Sequence, residues 1–408
     1  EASNRHPTLD WSSDAPLSSS CRLSPGYGRV SFLDLVQGVP SILNGETERP
    51  RSLVFEGMEA PISVLSTTRE LRILESVCDR VFAALGDFSD EENLRPKHGP
   101  GAVSNLRRGT NKYSFPDWPS KLEGLYPYDY YATHDLCAGS DLGDPGSPRN
   151  REVPSKLIAV PKTQKAPRLI ASEPHYHQWI QQLLKQQLES RMRRTPLVNC
   201  IDFNDQTFNG RDALTGSKNG SNVTIDLSSA SDHLTCWLVE RACRSNLTLL
   251  DRLHASRTRM VRNHVDKTTF GTIILKKFST MGSTVIFPMQ SFIYGCIAIA
   301  SVVAEMPERE IGSAIEEASH RVRIFGDDII VPKTAYGCTS RLLRDLGLKI
   351  SETKTFSGFH FRESCGVDAF QGHDVTPAYL THIALDASPT VLKSTLEVSN
   401  NFWRKGMW

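Results

Sequence analysis

Long hydrophobic runs, paired cysteines and a strong net charge are all missing from this 408-residue chain. The most apolar stretch covers only 292–304, which is too short to cross a bilayer and predicts a buried helix. The nine cysteines stand singly without a CxxC pair, so neither a disulfide framework nor a zinc knuckle is indicated, and a reducing cytosol is the expected compartment. A net charge of +1 means that any surface for nucleic acid has to be local.

What the chain does have is enough apolar sequence for a sizeable core, with 39% hydrophobic residues. Residues 1–60 are rich in Ser, Pro and Gly and predict loops, and 86–150 is turn-dense with room for short helices. Apolar periodicity predicts helices at 66–85, 176–194, 229–245, 292–304 and 339–350. Strands are predicted at 157–160, 168–172 and 222–227, and as the two arms of a hairpin within 321–332.

The chemistry is concentrated at Asp327 and Asp328, which follow Gly326 between two apolar strands. Adjacent carboxylates repel each other and gain nothing in a core, whereas a divalent cation with a preference for oxygen ligands turns the repulsion into binding. An ordinary Asp-rich turn is the alternative. Asp226 ends the predicted strand 222–227 and could join the pair if the strands are neighbours, or it could merely cap the next helix. Asp232 could accept a hydrogen bond from a ribose hydroxyl, or simply favour the helix dipole.

A basic turn complements these acids, since Lys162, Lys165 and Arg168 recur every three residues between two predicted strands. Residues 151–194 hold nine Lys/Arg against three Glu, a local net charge of +6. Such cations could offset the charge of a nucleoside triphosphate, or they could belong to a solvated hairpin tip. The loop Gly282–Ser283–Thr284 offers amide and hydroxyl donors that could position a template or sugar, or it could only start a helix.

These segments, in this order, resemble the RNA-directed RNA polymerase (replicase beta subunit) of the single-stranded RNA bacteriophages, the levivirus group. The matching motifs run from about 155 to 385, and they are VPKTQKAPRLIASEP, IDFNDQTFNGRDALTGS, TIDLSSASD, FSTMGS, IFGDDIIVP, TKTFSGFHFRESCG and DVTPAYL. The sequence departs from the family at Phe325, where a Tyr is usual, and at Ser283–Thr284, where Asn-Gly is usual. It therefore resembles a divergent member, and the residue that contacts the ribose or template in this loop stays open.

The resemblance implies an α+β fold of the right-hand polymerase type, with palm, fingers and thumb and an antiparallel palm sheet flanked by helices. It implies an N-terminal, fingers-associated region at 1–150, fingers with the basic hairpin at 151–221, a palm at 222–350 with a fingers insertion at about 246–277, and the palm–thumb junction at 351–408. The family's thumb continues further, so the resemblance predicts that the C-terminal region of this chain is missing or reduced.

The resemblance also assigns roles to residues. Asp226, Asp327 and Asp328 match the catalytic metal ligands, which hold two Mg²⁺ ions for which Mn²⁺ can substitute. Six residues match NTP-binding positions, namely Lys162, Lys165, Arg168, Asp232, Ser283 and Lys354. Three match RNA-binding positions, namely Gly282, Thr284 and Arg362.

The implied function is RNA-dependent RNA synthesis from NTPs on a single-stranded viral RNA, started without a primer, in the cytoplasm of a bacterial host. The partners implied are the RNA template and product and, as in relatives, host elongation factors Tu and Ts and a ribosomal protein, with no membrane. Two alternatives stay open. A reverse transcriptase also uses a two-Asp hairpin, although the small, polar LSSASD segment favours ribonucleotides. A catalytically silent RNA-binding fragment is the other, although an intact set of three Asp argues against it.

Overall fold

The fold is mixed α and β. The computed structural model of the protein describes residues 67–89, 94–106, 111–132, 148–160, 167–265, 271–358, 360–378 and 389–407. Within these ranges the α-helices are α1 (Thr68–Ala84), α2 (Ser120–Glu123), α3 (Tyr128–Tyr131), α4 (His175–Arg191), α5 (Thr207–Asn219), α6 (Cys236–Ala242), α7 (Leu247–Ser256), α8 (Ile286–Ala304), α9 (Ile311–Ser319), α10 (Tyr336–Asp345) and α11 (Pro389–Arg404). The strands are β1 (Ser155–Val160), β2 (Arg168–Ser172), β3 (Asn222–Ile225), β4 (Met260–Asn263), β5 (Thr272–Ile274), β6 (Arg323–Phe325), β7 (Asp328–Pro332), β8 (Phe361–Ser364), β9 (Val367–Phe370) and β10 (His373–Asp374).

A three-stranded antiparallel sheet in the order β3–β7–β6 carries the predicted acidic hairpin. Strand β7 pairs with β6 from Phe325↔Asp328 to Arg323↔Ile330, and with β3 from Ile225↔Ile329 to Asn222↔Pro332. The predicted hairpin is therefore confirmed, and so is the adjacency of the two acidic strands on which the metal-site hypothesis depends. The buried side chains of Val223, Ile225, Ile329 and Val331 explain why these short strands hold their register.

A second sheet has the order β2–β1–β4–β5. Strands β1 and β2 form the antiparallel pair that the sequence predicts, with Val160↔Arg168 as the pair nearest their connection. That connection, which includes Lys162 and Lys165, lies outside the described residues. A third sheet, β8–β9–β10, turns between β8 and β9 at Cys365 and Gly366, both of which have positive φ angles, +49° and +77°.

Helix α8 lies at the centre of the largest hydrophobic core, and α1, α9 and α10 pack around it. The buried helix predicted at 292–304 is confirmed, but it begins earlier, at Ile286, and is therefore longer than the apolar run indicates. It is the one helix in the described part of the chain that is long and apolar enough to cross a membrane, and 94% of its apolar window is buried inside the protein. A helix that is apolar on every face and packed on every face is typical of a protein core.

The other helix boundaries show where local signals were followed and where they were overridden. Helix α1 begins as predicted, with a capping box in which Thr67 and Glu70 satisfy each other's backbone amides. The helix predicted at 229–245 is wrong in its first part, because Ser229 is left-handed (φ +52°) and a 3₁₀ turn at Ala230–Asp232 precedes α6. The helix predicted at 339–350 lies at Tyr336–Asp345. Residues 1–66 lie outside the described residues.

Candidate active site

The acidic hairpin tip is a two-residue turn, Gly326–Asp327, between β6 and β7. Gly326 has φ +64°, a conformation that two-residue hairpins require at the first turn position and that glycine adopts without strain. A Cβ at this position would lie 2.5 Å from a ring carbon of Phe287 on α8. The Gly326 amide donates to Ser291 Oγ, also on α8, at 3.1 Å. The tip is therefore fixed to the core helix by a hydrogen bond and by close packing.

Asp226 lies beside this tip because β3 and β7 are antiparallel. The last ladder pair is Ile225↔Ile329, so Asp226, which directly follows β3, comes opposite Asp328. The pKa of the Asp328 carboxyl is raised by burial, opposed by a hydrogen bond from Cys365, and raised further by the charges of Asp327 and Asp226. The three predicted acids therefore interact electrostatically, although Asp226 stands about a hundred positions earlier in the chain.

Cys365 contacts the acid cluster, and the sequence analysis did not single it out. Its Sγ donates to Asp328 Oδ2 at 3.4 Å from the β8–β9 turn. Burial and the neighbouring Asp328 charge raise the pKa of the Cys365 thiol, so the group is an S–H donor at neutral pH. The contact joins the third sheet to the acidic hairpin.

Glu363 is a fourth carboxylate of the site that sequence reasoning missed. Burial raises its pKa, the charge of Asp328 raises it further, and Lys354 opposes the shift. Its backbone amide donates to Thr224 Oγ1 at 3.4 Å, which places β8 alongside β3. It belongs to the FRESCG motif, but nothing in that motif indicates that the Glu lies beside Asp residues from two other segments.

Lys354 forms an ion pair with Asp226, with Nζ 3.9 Å from Asp226 Oδ2. Its side chain is 59% exposed, so the pair is loose and accessible to solvent. The chain segment that carries it is fixed by the Ser351 amide, which donates to the Asp226 carbonyl at 2.9 Å. The sequence-predicted Lys354 and Asp226 are thus brought together.

Asp232 is paired with a residue that the sequence analysis did not consider. Lys277 Nζ lies 2.6 Å from Asp232 Oδ1, and both side chains are largely buried. The two residues border a narrow cavity against the second sheet, next to Leu157, Leu169 and Val261. The pair is 45 positions apart in sequence, so no local motif announces it.

The Gly282 loop lies against the second sheet and leads into α8. Gly282 has φ +123°, and a Cβ there would overlap the Ala171 carbonyl oxygen on β2. The Ala171 amide donates to the Met281 carbonyl at 2.7 Å, and the Thr284 amide donates to Gln181 Oε1 at 3.0 Å. Gly282 is thus required by close packing between backbones.

Arg362 is fully buried, which contradicts the prediction that it contacts an RNA phosphate. Its guanidinium donates to the backbone carbonyls of Asn222 at 2.7 Å, Gly358 at 3.0 Å and Phe361 at 2.6 Å. Arginine in a motif does not reveal whether its five donors face solvent or main chain. Here Arg362 ties β8 to β3. Arg168, by contrast, is exposed at the start of β2.

The donor set suits a hard divalent cation, because carboxylate oxygens at one sheet end repel each other and a cation would relieve that repulsion. Burial raises the pKa of the Asp328 carboxyl most, and the charges of Asp327 and Asp226 raise it further. In the part of the chain that the structure describes, no three His, Cys, Asp or Glu side chains are already grouped as ligands around one point. The residues that fit the role are Asp226, Asp327 and Asp328.

Comparison with known proteins places the chain in a family. It belongs to the RNA replicase, beta-chain family, whose profile matches residues 129–403, more than half of the chain. It is 31% identical over 261 residues to the RNA-directed RNA polymerase subunit beta of Escherichia virus Qbeta, an alignment that covers 62% of this chain and 40% of that protein. It is 34% identical over 225 residues to the RNA-directed RNA polymerase beta chain of Enterobacteria phage fr, covering 55% of this chain and 37% of that one.

The matched part therefore spans about 40% of the length of these curated relatives. Among solved structures, the chain is similar to an insertion-loop deletion mutant of the RNA-dependent RNA polymerase of a human picorbirnavirus, at 11% identity and a TM-score of 0.47. That similarity covers 84% of this chain and 70% of the other.

Proposed function

We propose that this chain is the catalytic part of an RNA-directed RNA polymerase that copies single-stranded RNA from ribonucleoside triphosphates. The observation that carries the proposal is the pairing of β3 with β7, which sets Asp226 beside Asp327 and Asp328. Membership of the replicase family supports the same reaction class. In this reading the β3–β7–β6 sheet belongs to the palm (222–350, with a fingers insertion at about 246–277), the second sheet to the fingers (151–221), 1–150 is fingers-associated, and 351–408 forms the palm–thumb junction.

The reaction is nucleotidyl transfer, in which the 3′-hydroxyl of the growing strand attacks the α-phosphorus in line and pyrophosphate leaves. Asp226, Asp327 and Asp328 would hold two Mg²⁺ ions, which supply charge neutralisation and acidify the attacking hydroxyl. Arg168, with Lys162 and Lys165, offsets the charge of the triphosphate. Lys354, which pairs with Asp226, lies on the side of the triphosphate that faces Asp226. Asp232 accepts a hydrogen bond from the ribose. Three further points stay predictions from the resemblance. They are a start without a primer, replication in the bacterial cytoplasm, and host elongation factors Tu and Ts with a ribosomal protein as partners.

Substitution of the hairpin acid tests the proposal directly. Asp327→Asn keeps the shape of the turn and removes one charge, so template-directed incorporation with Mg²⁺ should fall by at least about a thousandfold, because charge stabilisation by metals is worth several kcal/mol. The measurement is incorporation of labelled NTPs on a defined RNA template by the purified chain. Glu308→Asn, at an exposed position, is the matched control and should retain wild-type synthesis.

Three outcomes would contradict the proposal in different ways. Undiminished synthesis by Asp327→Asn would remove the acids from the mechanism. A preference for dNTPs over NTPs would favour a reverse transcriptase. Salt-sensitive RNA binding without incorporation at any Mg²⁺ or Mn²⁺ concentration would favour a catalytically silent RNA-binding chain.

A further inference from the structure

Lys277 and Asp232 form a buried ion pair, and two buried charges are not needed for packing. Lys277 Nζ lies 2.6 Å from Asp232 Oδ1, and the two side chains are 6% and 15% exposed. Two charges taken out of water cost more than an apolar pair of similar volume, so such a pair is weak evidence for stability. Asp232 ends the 3₁₀ turn Ala230–Asp232, six residues after Asp226, and the Ala230 carbonyl in this turn accepts from the Tyr294 hydroxyl at 3.1 Å. Burial and the charge of Asp327 raise the pKa of that same hydroxyl, so Tyr294 lies between the turn and the acidic hairpin.

The backbone around Lys277 is fixed on both sides. Arg257 donates from Nε to the Phe278 carbonyl at 2.5 Å and from Nη2 to the carbonyls of Leu275 and Lys277 at 2.8 Å each. The Phe278 amide donates to the Leu234 carbonyl at 2.8 Å, on the segment that follows Asp232. The segment that carries Lys277 is therefore hydrogen-bonded to the segment that carries Asp232, and this holds the ammonium beside the carboxylate.

We propose that Lys277 is a specificity-determining positioning residue, which orients the Asp232 carboxylate to accept the 2′-hydroxyl of an incoming ribonucleotide. The inference rests on the proposed function and deepens it. The ammonium engages Oδ1, and the ribose hydroxyl donates to Oδ2. A 2′-deoxynucleotide offers no donor and covers this carboxylate oxygen without a hydrogen bond, and a site built to bind a hydroxyl rejects an analogue that lacks it.

The first test compares kcat/KM for single incorporation of ATP and 2′-deoxyATP on the same primed RNA template. Lys277→Met removes the charge and keeps most of the side-chain volume. Its ATP/2′-deoxyATP ratio should fall by about tenfold or more, the value of one hydrogen bond to a charged group, mostly through a higher KM for ATP. Efficiency with 2′-deoxyATP should stay within about twofold of wild type. Lys277→Arg should restore part of the ratio.

Lys276→Met is the matched control, because it removes an adjacent lysine whose side chain is exposed, and it should leave the ratio unchanged. An equal loss with ATP and 2′-deoxyATP in Lys277→Met would overturn the inference, because it would make Lys277 a general structural or triphosphate-binding residue. Retained 2′-deoxyATP incorporation shows at the same time that the variant is folded.

Equilibrium binding of ATP and 2′-deoxyATP, without RNA or turnover, separates this inference from the proposed function. Wild type should bind ATP more tightly, and Lys277→Met should bind the two alike. Equal affinity of the wild-type protein for both nucleotides overturns the role of Lys277 whatever the synthesis assay gives. If the wild-type protein does not synthesise RNA but still binds ATP more tightly than 2′-deoxyATP, the proposed polymerase function is overturned and the role of Lys277 in sugar recognition stands.

Discussion

At the scale of single residues, the site depends on contacts that join distant parts of the chain. Cys365 reaches Asp328 across 37 positions, and its own backbone is left-handed, a conformation that costs a non-glycine residue energy. Backbone strain of this kind persists where the surroundings enforce it. Here the strained turn directs a weak donor at one of the three predicted metal ligands.

Replacing this donor should affect the use of Mg²⁺ more than folding. Cys365→Ala removes the hydrogen bond to Asp328, so the Mg²⁺ concentration for half-maximal synthesis should rise and the rate should fall by about threefold to tenfold. Cys365→Ser keeps a donor and bears the same backbone strain, so it should stay close to wild type. A Mg²⁺ titration of the three proteins measures this, and identical titrations for Ala and Ser would contradict it.

At the scale of elements, close approach of backbones sets what the loops tolerate. The Gly282 loop has room for no side chain, because the Ala171 carbonyl occupies the place of a Cβ. The two elements that meet there are β2, which carries Arg168, and the entry to α8, which holds the acidic tip. Their contact connects the proposed triphosphate-binding side of the site to the acidic side.

Gly282→Ala should therefore destabilise the protein strongly. A clash with backbone and a φ of +123° together predict a loss of about 2–4 kcal/mol in the free energy of unfolding, measured by denaturant titration. Gly124→Ala is the control, because Gly124 has a helical φ of −66° and no atom lies within 4 Å of the place that the alanine methyl group would take. It should be neutral or slightly stabilising. Equal stability of the two variants would contradict the close packing at Gly282.

Much of the site was predictable at this scale, and the limits have a physical reason. The strand that precedes Asp226 and the strand that begins at Asp328 can be predicted locally, because each apolar pattern and its Asp lie within a few residues. Lys277, which pairs with Asp232, and Glu363, which lies near Asp328, cannot be predicted in this way. Contacts between distant segments depend on the whole topology. The prediction for Arg362 failed for the same reason. A motif does not show whether its arginine is buried against backbone carbonyls or exposed to a phosphate.

At the scale of the whole molecule, buried polar networks link the second sheet to the core. Glu173 is buried and accepts from the Thr258 hydroxyl and from Gln181 Nε2, while Gln181 also accepts from the Thr284 amide. Burial raises the pKa of the Glu173 carboxyl, and the two hydrogen bonds only partly oppose the shift. The folded protein therefore binds this proton more tightly than the unfolded chain.

This shift predicts how stability depends on pH. The contribution of Glu173 is fully present below its unfolded pKa, near 4.5, and is lost as pH rises through the raised folded value. Glu173→Gln keeps an acceptor oxygen and cannot ionise, so its Tm should exceed that of wild type at pH 8, with the difference shrinking toward pH 5. Thermal unfolding across this range measures it, with Glu308→Gln as the exposed control. A difference that grows toward low pH would contradict the assignment.

The hydrogen bond from the Gly326 amide to Ser291 has a consequence for how the protein meets its substrate. It fastens the acidic tip to α8, which is buried along nearly its whole length, so the tip shares the stiffness of the interior. In the proposed polymerase, an incoming nucleotide therefore binds at acids that are held in place before it arrives.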